Sequence, residues 1–105
     1  MKKFNGGRCF VAARVIDQII ATAAAQVEGV AELHGFDRES GELRHNYEKS
    51  IVTETDGANL MSSLVVAVVP GYAIINVVKA VQEAVQQDVK VMLGLDVRGV
   101  DVAVV

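Results

Sequence analysis

Two stretches of this chain repeat apolar residues every three or four positions, each on one face only. A pair of half-apolar helices needs a common surface to cover it. The longer stretch is Ile74 to Leu93. There Ile74, Val77, Val78, Val81, Ala84, Val85, Val89 and Met92 form a stripe opposite Asn76, Lys79, Gln82, Glu83, Gln86 and Lys90. Gly94 stops it, because glycine accepts the left-handed conformation at a helix end. The shorter stretch lies within "FVAARVIDQIIATAAAQVEGVAEL", where Val15, Ile16, Ile19, Ile20, Ala23, Ala24 and Val27 share a face. Arg14, Asp17, Gln18 and Gln26 take the other sides, and Gly29 is the stop. The many β-branched residues of the second helix are mediocre helix formers, so packing must hold it more than propensity does.

The remaining apolar segments read as strands. "RCFV" (8–11) and "VAEL" (30–33) are short ones on either side of the first helix. "SIVTETDGANLMSSLVVAVV" reads as a hairpin turning at Asp56-Gly57, and its run from Leu64 to Val69 is continuous, as in a strand covered on both faces. In "LDVRGVDVAVV", Leu95 and Val97 share one parity whereas Val100, Val102 and Val104 share the other; a bulge at Gly99 reconciles them. The order β-α-β-loop-β-β-α-β predicts an α/β fold: a small two-layer sandwich of two helices on a mixed sheet of four or five strands, one domain over residues 1–105.

Residues 34–49, "HGFDRESGELRHNYEK", break both periodicities. Charges, glycines and few apolar anchors predict a solvated, mobile loop, and the first residues (1–6) are expected to be mobile as well. His34 and His45 flank this loop among Asp37, Glu39, Glu42 and Glu48. Their spacing matches no compact zinc pattern and no cysteine joins them, so a small-ligand or metal-binding module built on 34–49 is the alternative reading rather than the leading one.

Composition narrows the function classes. Only 5% of residues are aromatic, none is Trp, and the net charge is −3, which leaves little for base stacking and opposes a basic nucleic-acid track. Cys9 is the one cysteine, so no internal disulfide forms, and it reads as a small buried hydrophobe. No secretory signal pattern occurs, and the apolar runs fall short of the ~20 residues of a membrane helix. The expectation is a cytoplasmic chain whose association with a membrane would need a partner.

"VVPGYAIINVVKAVQEAV" (68–85) places a glycine turn between a strand and a helix, as phosphate-binding loops do. Gly71 stands alone there, however, followed by Tyr72, Ala73 and Ile74 without the spaced glycines or the Lys-Ser/Thr of such loops; the turn is a corner. Ser40, Ser50, Ser62 and Ser63 lack a nucleophile-elbow context. No catalytic constellation stands out, and neither cofactor nor metal is expected.

"RVIDQIIATAAAQVEGVAELHG" and "INVVKAVQEAVQQDVKVMLGLDVRGVDV" resemble the alkaline-shock-protein family of bacterial envelope stress response proteins (Gls-type general stress proteins). The resemblance rests on Val27-Glu28-Gly29-Val30 at the close of the first helix and on Val81-Gln82 in the second. Gly94-Leu95 follows at its end, and then the alternating Val97, Val100 and Val102. It implies a non-enzymatic protein that self-associates or binds partners, held at the membrane in some members by a separate anchor protein. The chain departs from the family pattern at the helix starts, where Ala12 and Ala73 stand in place of polar caps and Ile75 in place of a proline. An Ala cap costs about 0.5–2 kcal/mol relative to a good one.

The candidate interaction face follows from strand parity. Leu60, Leu64, Val66 and Val68 share one face of the long strand; Met61, Val65, Ala67 and Val69 share the other. Helices packed on the same side, as the resemblance implies, leave Met61, Val65 and Val69 as a candidate surface for a second copy of the chain or a membrane-anchored partner.

Overall fold

The computed structural model describes residues 12–105, so the expected strand at 8–11, with Cys9, lies outside the described residues. Helix α1 (Ala13–Ala25) leads to β1 (Val30–Leu33). A small hairpin of β2 (Phe36–Asp37) and β3 (Glu42–Leu43) follows, and then a single 3₁₀ turn at Tyr47–Lys49. After β4 (Val52–Asp56) and β5 (Asn59–Val68), α2 (Ile74–Leu93) crosses over to β6 (Asp96–Val104). The bounds of α2 are those the apolar stripe and Gly94 predict. Ala12 and Ala73 occupy the N-cap positions, and neither makes a side-chain capping bond.

Strand β5 organises the sheet. Met61 pairs with Glu54 of β4 on one edge and with Gly99 of β6 on the other, and Val66 pairs with Leu33 of β1 and with Val104. Thus β4 and β1 lie end to end along one edge of β5, both antiparallel, and β6 runs parallel along the other. The parallel neighbour requires a long crossover, which α2 provides. The sheet is mixed, and both helices cover one side of it. The β4–β5 hairpin turns at Gly57-Ala58, one residue later than expected, because Asp56 still pairs with Asn59. The predicted bulge in β6 is present: the register slips between Val97 and Gly99, which restores the inward parity of Val100.

The core gathers Ile16, Ile20 and Ala24 of α1, Leu60, Leu64 and Val66 of β5, and Val77, Val81, Val85 and Val89 of α2. Ser62, the one polar residue of β5 on this side, shares a hydrogen bond with Thr53 Oγ1 at 3.2 Å. Gln82 Nε2 donates to Val100 O at 2.9 Å and ties α2 to β6. Ile74 and Met92, expected in the buried stripe, are exposed instead. The buried line runs Val77, Val81, Val85, Val89 and on to Leu93, which packs against the core; Met92 lies to the side of it and Ile74 one turn before its start.

The segment 34–49 differs most from the sequence reading. It is folded, with the β2–β3 hairpin and the 3₁₀ turn, and Phe36, Leu43 and Tyr47 are buried in the core. Arg38 Nη2 donates to Ala25 O at 3.0 Å and Val30 O at 2.7 Å, closing the carbonyl end of α1, and Gln18 Nε2 donates to Gly41 O at 2.7 Å. A cation at a helix C-terminus is favourable for its dipole. This second cover over α1 explains why Ala21 and Ala25 are buried. It also buries Asp17, expected on a wet side, which is 7% exposed.

Burial, and then the Asp17 carboxylate beside its hydroxyl, push the Tyr47 phenol above the usual tyrosine value of 10.0. The unfolded chain therefore loses this proton first as pH climbs past about 10, while the folded chain keeps it, so the stabilising contribution is complete below that pH and is lost above it. Tyr47→Phe, which keeps the ring, is expected to flatten the fall of stability between about pH 9.5 and 11. Tyr72 is also raised, by its hydrogen bond to Glu28, but it is exposed and contributes little. With two tyrosines and no Trp, ultraviolet titration of the folded protein reads both directly. Two ordinary titrations would refute the assignment.

Candidate functional site

Burial alternates along β5. Leu60, Ser62, Leu64 and Val66 are buried beneath the helices, whereas Met61 is 53% exposed, Ser63 is exposed and Val65 and Ala67 are half-buried. Alternation of this kind is what one covered and one uncovered face produce. The continuous run Leu64–Val69 is therefore covered on one side only. Cross-strand register extends the uncovered face. Val52 and Glu54 of β4 stand opposite Ser63 and Met61, Asp101 and Ala103 of β6 opposite Ser63 and Val65, and Glu32 of β1 opposite Ala67. Val52, Met61, Val65, Ala67 and Ala103 form an apolar centre along the sheet.

The three residues singled out by parity divide. Met61 and Val65 stand on this face two pleats apart. Val69 lies one residue past β5, where its N–H donates to Gly29 O at 2.8 Å, so it borders the face rather than lining it. Strand parity missed the polar members, Ser63, Glu54 and Asp101. Their signal was present in "VTETD" and "VDVAV", but it becomes legible only once register places those strands beside β5.

The other candidates do not converge. His34, at the end of β1, donates its N–H to Val65 O at 2.9 Å, whereas His45 is exposed between β3 and the 3₁₀ turn. Among the described residues, no group of three or more His, Cys, Asp or Glu side chains gathers into a metal cage. Asp17 Oδ1 is buried and has no hydrogen-bond partner among the described residues. A hollow of about 480 Å³ opens beside the end of α1, lined by Thr22, Gln26, Glu28, Phe36 and Arg38, but Arg38 is already engaged there by the Ala25 carbonyl at the end of α1 and the Val30 carbonyl at the start of β1. Gly71 makes the corner expected of it, with Tyr72 N–H donating to Val69 O at 3.2 Å.

The family motifs occupy joints of the fold. Glu28 accepts a hydrogen bond from the Tyr72 hydroxyl at 3.0 Å, and Gly29 packs where β1 begins, against Tyr72 and Val77. Val81 is fully buried, and Gln82 makes the bond to β6. A profile of the alkaline shock protein 23 family, described as having a cell envelope-related function, matches residues 1–105. The chain belongs to the alkaline-shock-protein family.

No curated protein sequence matches this alkaline-shock-family chain. Among solved structures it is similar to a MamM-CTD, with a TM-score of 0.54 at 17% identity over 90% of this chain and 98% of that one. The cadmium form of a MamM CTD variant matches with a TM-score of 0.54 at 17% identity, over 90% of this chain and 96% of that one. At such identity the likeness is one of fold. Among the described residues, no helix is long and apolar enough to cross a membrane.

Proposed function

We propose that this alkaline-shock-family chain is a non-enzymatic protein of the bacterial envelope stress response, acting in the cytoplasm as an interaction module. It self-associates through the uncovered sheet face and in that form engages a membrane-anchored partner. The observation that carries this reading is the alternation along β5: both helices are spent on one side, and Val52, Met61, Val65 and Ala103 stand uncovered on the other. Contiguous apolar surface of this kind commonly marks an association surface. Membership of a family with cell envelope-related function supports the setting.

Val65→Lys tests it. The substitution places a charge at the centre of the face without touching the covered side. The expected result is a shift in sedimentation from oligomer to folded monomer, with the unfolding midpoint close to that of the wild type. A wild-type protein that stays monomeric at high concentration overturns the reading.

A further inference from the structure

The uncovered face is strongly one-signed. Glu54 stands opposite Met61, Asp101 opposite Ser63, Glu32 opposite Ala67, and Asp56 and Asp96 opposite Asn59, so five exposed carboxylates share the side of Met61 and Val65, of which Asp96 is paired with Lys90 at 2.9 Å. Against them are Arg98, at the β6 bulge in a hollow with Glu54 and Asp56, and His34 at the far end. Glu54 and Asp101 flank a second, shallow hollow of about 150 Å³ floored by Val52, Met61 and Ser63. Two such faces laid on each other about a twofold axis would set carboxylates against carboxylates and strip water from both. That arrangement is costly, and face-to-face pairing is therefore opposed.

The complementary charge is in the same chain. Lys2, Lys3 and Arg8 are three of its ten basic residues, and none of its thirteen acidic residues precedes Ala12. Phe4 lies between these cations in the sequence. Accepting the self-association proposed above, we infer that the uncovered face of one copy receives the basic segment 1–8 of a second copy. Its cations meet Glu54 and Asp101, and Phe4 meets the apolar floor between them. A second copy is favoured over the chain's own segment because α1 starts on the covered side of the sheet.

Sedimentation of two charge-reversed variants, alone and mixed, tests this. One is Lys2→Glu/Lys3→Glu/Arg8→Glu; the other is Glu54→Lys/Asp101→Lys, with Asp101→Lys alone as the substitute if the pair does not fold. Each variant alone is expected to associate about tenfold or more weakly than wild type, the equimolar mixture to recover association, and added salt to weaken both wild type and mixture. Undiminished association of the segment-reversed variant overturns the inference in favour of face-to-face pairing or another surface. A mixture that stays monomeric overturns it in favour of docking in cis or of a different partner. Both results leave the self-association reading standing, whereas a monomeric wild type removes that reading and this inference together.

Discussion

Replacing Gly29 by Ala lowers the free energy of unfolding by about 3 kcal/mol, read as a lower urea midpoint at an unchanged slope. Two costs add at this position. Its φ is 98°, in the left-handed region, where a side chain costs roughly 1–2 kcal/mol. A Cβ there would also meet Val77 Cγ2 at 2.7 Å and the Tyr72 ring at 2.9 Å, so α2 or the ring must move. Forcing an extra carbon into a packed site typically costs about 1–3 kcal/mol. Gly71 separates the two contributions: its φ is also 98°, but nothing lies within 4 Å of an added Cβ. Gly71→Ala is expected to lose only the backbone share, about 1 kcal/mol. Equal losses in the two variants would mean that the joint between β1 and α2 is looser than its geometry states. The close approach at Gly29 is also why the Val-Glu-Gly-Val stretch marks a joint of the fold rather than a binding loop.

Elements with a single, sustained period were legible in the sequence. The stripe of α2 has one wet side and one packed side, so periodicity and Gly94 together give both its ends. The parity switch in β6 likewise located its bulge, because only an extra residue returns Val100 and Val102 to the side of Val97. The segment 34–49 was opaque for the opposite reason. Phe36, Leu43 and Tyr47 are separated by seven and four residues across a hairpin and a turn, and no fixed period connects them. Their burial depends on α1, which lies far away in sequence, and so does the burial of Asp17. The candidate site was half legible. Parity along one strand gave Met61 and Val65, but the carboxylates that set the sign of the face come from three other strands and needed the register.

Leu64→Ala is expected to lower the free energy of unfolding by about 3 kcal/mol, against almost no change for Val65→Lys one residue along. Leu64 is 1% exposed, on the side of β5 that faces Ile20, Val81 and Val85 in the core. Its truncation removes apolar burial and leaves a cavity that two helices braced on the same sheet can close only partly, which places the cost within the usual range of roughly 2–5 kcal/mol. Val65 points the other way, and a lysine there has water to receive its ammonium in the separated chain. The pair therefore tests the sidedness on which the functional reading depends. A Leu64→Ala variant losing less than about 1 kcal/mol, or a Val65→Lys variant that unfolds, would place the helices differently on the sheet. Either result would remove the uncovered face, and with it the surface through which this chain is argued to associate.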